Sequence, residues 1–151
     1  MTRKGVFRQS TTDSVHTPEY ILKYIRKHWG ENLYDPCPFN PEFDPKIHQD
    51  GLKTKWKSPA FVNPPFSRNK KFIQRGYKLW KEERIVSIFL LKVGIVGSKY
   101  FADYFDGCEI RLFTHRIKFP EYDKPAPFPC MLLIYDGKNP GKISIMHDCC
   151  P

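Results

Sequence analysis

Ala60-Phe61-Val62-Asn63-Pro64-Pro65-Phe66-Ser67 decides how this chain folds. Three apolar residues in succession predict a buried strand; the prolines end it, since they have no N–H to offer a ladder, and Ser67 is a helix-capping residue type. Beyond it, Phe72, Ile73, Leu79 and Trp80 recur at helical spacing within a basic segment, so the unit is strand, loop, helix. Further on, Ile85 to Leu91 predicts a central strand, Ser98 to Phe105 a short amphipathic helix, and Glu109 to Phe113 another strand. After the proline-rich stretch Pro120 to Pro129, Met131 to Tyr135 and Ile143 to Met146 flank a Gly/Pro turn at Gly137 to Gly141 and predict a closing hairpin.

Working back toward the N-terminus, Asp50-Gly51 is a turn, with Lys46-Ile47-His48 a brief strand before it. Asn32 to Asp35 predicts a short strand that runs into Pro36-Cys37-Pro38-Phe39-Asn40-Pro41. Thr17-Pro18-Glu19 reads as an N-cap, a proline at the first helical position and an acid in the first turn, opening a helix over 18–29 that Gly30 stops. Residues 1–12 are a polar, basic lead-in with no apolar period. Alternating strands and helices imply an α/β fold over residues 1–151: one domain with a mostly parallel sheet covered on both faces and an antiparallel C-terminal hairpin at its edge. Ligands of such sheets bind beyond the carboxyl ends of the strands, where Asp35-Pro36 and Asn63 to Phe66 both fall.

A net charge of +9, from 25 Lys and Arg against 16 Asp and Glu, favours a polyanionic partner, with nucleic acid foremost, although solubility alone also uses such charge. No run is long and apolar enough for a bilayer span or a signal sequence, so a soluble, intracellular protein without a membrane partner is expected. The five cysteines, Cys37, Cys108, Cys130, Cys149 and Cys150, are too scattered for a zinc site or disulfide framework and are expected as reduced thiols; no metal is expected.

The Asn-Pro-Pro-Phe loop carries a specific chemistry. An amine on an aromatic ring is a weak nucleophile because its lone pair is delocalised into the ring. The side-chain oxygen of Asn63 and the carbonyl of Pro64 are two acceptors that would take its two N–H groups and favour a pyramidal nitrogen. Pro64 and Pro65 hold that carbonyl rigidly, and Phe66 offers a flat face for a base turned out of a duplex. The proton can leave after alkylation, so positioning carries the barrier and no catalytic histidine or cysteine is required. A merely stiff strand-to-helix turn would use the same residues.

The chain resembles the phage-type, Dam-like DNA N6-adenine methyltransferases. The landmarks are Thr17-Pro18, Asp35-Pro36-Cys37, Asp50-Gly51-Leu52 to Trp56, Val62 to Ser67, the Ile88 to Leu91 strand, and Arg116 with Phe119 before Pro127-Phe128-Pro129, in the same order and over most of the chain. The resemblance implies a Rossmann-like sheet, S-adenosylmethionine as methyl donor, DNA as partner, and Asn63, Pro64, Pro65 and Phe66 as the target-amine pocket. It further implies Asp35, with Pro36 and Cys37, near the methionine amine or ribose of the donor, and Asp50 at the donor's adenine. Thr17 and Pro18 would set a helix N-terminus against the donor carboxylate. Arg68, Lys70 and Lys71 after the loop, with His115, Arg116 and Lys118, are the DNA-contact candidates. Two departures stand out: Pro36-Cys37-Pro38-Phe39 replaces the glycine-rich donor loop of most methyltransferases, and His115 stands where the family has glycine. No separate recognition domain fits this length, and a homodimer is open as a further source of DNA contact. A catalytically silent nucleic-acid-binding relative and a protein amide (Gln/Asn) methyltransferase are the alternatives.

Overall fold

The computed structural model describes residues 13–40, 44 and 46–151. The lead-in over residues 1–12, and Pro41 to Phe43 with Pro45, lie outside the described residues. Five strands form one mixed sheet: β1 (Ala60–Val62), β2 (Ser87–Lys92), β3 (Glu109–Phe113), β4 (Cys130–Tyr135) and β5 (Ile143–Met146), in the order β1-β2-β4-β3-β5. β1 runs parallel to β2, and β3 parallel to β5, while β4 is antiparallel to both of its neighbours. Four strands therefore share one direction and β4 alone opposes them. Tyr34 adds a parallel bridge to Ala60 at the outer edge of β1, where the short 32–35 strand was expected.

Strand alternation sends neighbouring side chains to opposite faces, and both faces are covered. Phe61, Ile88, Leu90, Leu132 and Ile134 join Ile21, Tyr24 and Ile25 of α1 (Glu19–Trp29) in one cluster. Ala60, Val62, Phe89, Leu91, Met131, Leu133 and Tyr135 join Phe72, Ile73, Leu79 and Trp80 of α2 (Asn69–Glu83) in the other. Each fully buried large apolar side chain contributes about 1.5–3 kcal/mol. α2 lies close on β2 because Gly76 faces it: a Cβ there would stand 2.4 Å from Cζ of Phe89.

Three sequence expectations change. The closing hairpin does not form. Both edges of β4 are taken, by β2 and β3, so β5 crosses to the free side of β3 and pairs parallel with it, Ile110 opposite Ile143. Residues 46–48 form a turn rather than a strand, because the Asp44 carbonyl accepts the N–H groups of Ile47 and His48 and its carboxylate accepts that of Lys46. The helix expected over 98–105 shrinks to α3 (Phe101–Tyr104), preceded by a 3-10 segment at Val93–Gly97. Among the described residues, no helix is long and apolar enough to cross a membrane.

Candidate functional site

Strand direction gathers the candidate residues at one edge of the sheet. Tyr34, β1, β2 and β3 all end there and β4 begins there, so the segments after Tyr34, Val62, Lys92 and Phe113, and the 120–129 loop before Cys130, meet at the same edge. Asp35 to Cys37, Asn63 to Lys71, and His115 to Lys118 belong to these segments. Between the first two opens a cleft of about 900 Å³, walled by residues that include Thr17, Asp35, Pro36, Cys37, Phe39, Gly51, Asn63, Pro65 and Arg68.

Asn63 is anchored through its donors. Its side-chain Nδ2 donates to the carbonyl of Val15 at 3.0 Å and to Oγ1 of Thr17 at 2.9 Å. A carbonyl can only accept, so the amide orientation is settled by the network, and Oδ1 has no partner among the described residues. Thr17, the expected N-cap, makes no cap: Pro18 occupies that position without a side-chain hydrogen bond, and its carbonyl accepts the N–H groups of Ile21 and Leu22. Ser67, the other expected cap, sits within a 3-10 turn, Phe66–Arg68, before α2. Its N–H and Oγ both donate to the carboxylate of Asp13, at 2.7 and 2.6 Å, while Phe66 N–H donates to the Asp13 carbonyl at 2.8 Å. The distant Asp13 thus binds the 3-10 turn that precedes α2, and α2 itself carries no side-chain cap.

The first loop is fastened to the second. Cys37 Sγ donates to the Asn63 carbonyl at 3.6 Å, and its backbone N–H donates to Oδ1 of Asp35 at 2.9 Å. Burial pushes the Cys37 thiol well up, and the adjacent Asp35 carboxylate adds to the rise, which favours the protonated thiol over the thiolate. Asp35 reaches solvent at the cleft mouth, but the protein atoms around its carboxyl raise its pKa above the ordinary value, with the Cys37 N–H opposing. Pro36 is buried against Gly51, where a Cβ would fall 1.8 Å from the Pro36 carbonyl oxygen; only glycine lets these two backbones touch.

Asp50 and Arg68 were assigned to separate roles, yet they pair: Arg68 Nη2 lies 3.2 Å from Asp50 Oδ1, which also accepts Leu52 N–H at 2.9 Å. Burial alone would raise the Asp50 carboxyl, but the Leu52 N–H and the Arg68 charge outweigh it and hold the pKa below the ordinary value. Asp50 is not in the cleft wall, whereas Arg68 is. Lys70 and Lys71 are exposed at the start of α2, with Lys70 Nζ 5.5 Å from the Tyr100 ring centre. Arg116 and Lys118 are exposed beyond β3. His115 is half-buried, its Nε2 2.7 Å from the hydroxyl of Tyr20, whose pKa burial pushes up to about 12.

Phe66 stands apart from the cleft wall. Its ring meets Phe128 edge-on at 6.0 Å, and the ammonium of Lys92, at the end of β2, lies 4.2 Å from each ring centre. Burial lowers the Lys92 pKa, with Cys130 opposing. Sequence reasoning marked Phe128 only as part of the landmark Pro127-Phe128-Pro129 and passed over Lys92, Asp13, Val15, His16 and Glu121. His16 lies 3.7 Å centre to centre from Phe39 and 2.6 Å, through Nδ1, from Glu121 Oε1; Glu121 lines the cleft, and its Oε2 is buried without a partner among the described residues. Apart from Lys92, which closes β2, these residues sit in unpatterned loops, so only a motif could have marked them. Comparison with family models, curated proteins and solved structures finds nothing that matches this chain.

Proposed function

We propose that this protein is an S-adenosylmethionine-dependent methyltransferase that places a methyl group on the N6 amine of adenine in DNA, with the sheet working as a Rossmann-like platform. The observation that carries the proposal is the anchoring of Asn63. With both amide hydrogens donated to Val15 and Thr17, its Oδ1 is available as an acceptor where the strand β1 ends, and the carbonyl of the next residue, the buried Pro64, would supply the second acceptor. Two fixed acceptors suit a substrate –NH2 and reject a ring oxygen in its place, because an oxygen would leave them facing another acceptor.

The cleft suits the donor. About 900 Å³ lies within the range of small-molecule sites, the Asp35 carboxylate is an acceptor for hydroxyl and ammonium groups, and Phe39, Phe72 and Leu22 supply apolar wall. When bound, S-adenosylmethionine supplies an electrophilic methyl on a sulfonium. The chain's own work is to hold and orient: Asn63 and Pro64 localise the amine lone pair, Phe66 offers a stacking face once Lys92 withdraws, and Lys70, Lys71, Arg116 and Lys118 attract the phosphate backbone to the same edge. Cys37 takes no part in proton transfer.

A catalytically silent nucleic-acid binder is the second reading, favoured by the Lys92 ammonium on Phe66. Calorimetric titration with S-adenosylmethionine, followed by labelled methyl transfer to adenine-containing DNA and to the same DNA with hypoxanthine for adenine, separates the two. Saturable donor binding and adenine-dependent incorporation are expected. An absence of donor binding, with and without DNA, rejects the enzyme and favours the silent binder.

A further inference from the structure

Residues 13–17 run beside the loop 63–67 in the opposite sense. Asp13 meets Phe66 and Ser67 at one end, and Val15 and Thr17 meet Asn63 at the other. All five residues of this strap also line the cleft. We propose that the strap sets the acceptor loop, that Thr17 is the positioning residue of Asn63, and that Thr17 transmits filling of the cleft to Asn63. The proposal rests on the methyl-transfer reading for its catalytic consequence, but its structural part stands without it.

The chemistry lies in the Thr17 hydroxyl. It has one hydrogen and two lone pairs. With one lone pair turned to Nδ2 of Asn63, the hydrogen must point elsewhere, and no acceptor for it exists among the described residues. An oxygen acceptor on a cleft ligand, carboxylate or hydroxyl, completes the chain: Asn63 N–H to Thr17 oxygen, Thr17 O–H to ligand. That contact holds the hydroxyl rotor in the orientation Asn63 needs, while the branched Cβ of threonine limits χ1. The Val15 carbonyl, a backbone group, makes the same bond to Asn63 whether or not the cleft is filled. The strap itself is steadied by Glu121, whose Oε1 accepts the backbone N–H of His16 at 2.8 Å.

Thr17→Val removes the hydroxyl at nearly constant shape, Thr17→Ser keeps it, and Thr17→Ala substitutes if valine prevents folding. Two readouts are needed: the side-chain amide resonances and hydrogen exchange of Asn63 by NMR, with and without S-adenosylmethionine, and kcat and KM for transfer to adenine-containing DNA. The expected result is that Thr17→Val shifts the Asn63 resonances, speeds their exchange and abolishes the slowing caused by donor. It should also lower kcat about 10- to 100-fold at unchanged KM for DNA, and Thr17→Ser should restore both. Unchanged Asn63 resonances in Thr17→Val overturn the proposal whatever the activity. Shifted resonances with unchanged kcat overturn the catalytic role of the positioning. If the native protein transfers no methyl group, the transfer reading fails, and the response of Asn63 to Thr17→Val still decides whether the strap holds the loop.

Discussion

Asn63 and Phe66 stand three residues apart in one loop, and the surrounding protein treats them in opposite ways. Asn63 has its donors satisfied by Val15 and Thr17 and keeps an acceptor in reserve. Phe66 has its ring face covered by the Lys92 ammonium and its flank by Phe128. The first is pre-organised, since a ligand has no local bond to break at Oδ1. The second is self-occupied, since a base must displace a cation before it can stack. The lesson is that two residues of one motif can be prepared to different degrees, and that hydrogen-bond satisfaction tells them apart.

The largest effect should come from the prepared end. Asn63→Ala should lower kcat about 10²- to 10³-fold, the magnitude of losing one fixed electrostatic partner of a transition state, while the loss of its two hydrogen bonds to Val15 and Thr17 should cost about 1 kcal/mol of stability, too little to unfold the protein. Unchanged turnover would erase the difference between the two ends. Next comes the anchor of the loop: Asp13→Ala removes two hydrogen bonds to Ser67 and should destabilise the protein by about 1 kcal/mol. That corresponds to a fall of about 2–4 °C in Tm by calorimetry for a chain of this size.

Lys92→Met addresses the occupied end. Removing the cation while keeping an apolar stem should make base entry easier by about 1 kcal/mol, the worth of a half-buried cation–π contact. Fluorescence of 2-aminopurine at the target position should report this as a higher flipped fraction. A lower fraction would mean that Lys92 assists the flipped state instead.

The smallest effect separates the two acids. The Asp35 pKa is raised in the folded protein, so Asp35 contributes stability that is present at low pH and lost as pH rises through its folded value. The Asp50 pKa is lowered, so its contribution is present above the ordinary carboxylate range and lost as pH falls through its folded value. In thermal melts, Asp35→Asn should leave stability unchanged or slightly higher near neutral pH, and Asp50→Asn should lower it there. Both variants should converge with the native protein in acid, where each native carboxyl is protonated like the amide that replaces it, Asp50→Asn from below and Asp35→Asn from above. Matching pH profiles would contradict the opposite environments of these loops.

The sequence by itself determined the α/β class, because apolar runs at Ala60 to Val62, Ile85 to Leu91 and Met131 to Tyr135 alternate with segments at helical spacing, and periodicity is a local property. It also marked Asn63 to Phe66 and Asp35 to Cys37, because proline after a strand end is a local signal too. Only the tertiary structure decided where β5 lies, since a strand goes to whichever edge is free and β4 had none. In the same way it moved Thr17 from a helix cap to the amide of Asn63, joined Arg68 to Asp50, and brought Asp13 to Ser67 across 54 residues of chain. Each of these is a hydrogen bond or ion pair between residues far apart in sequence. Such partners are selected by the packed sheet edge that assembles them, so neither spacing nor propensity could name them in advance.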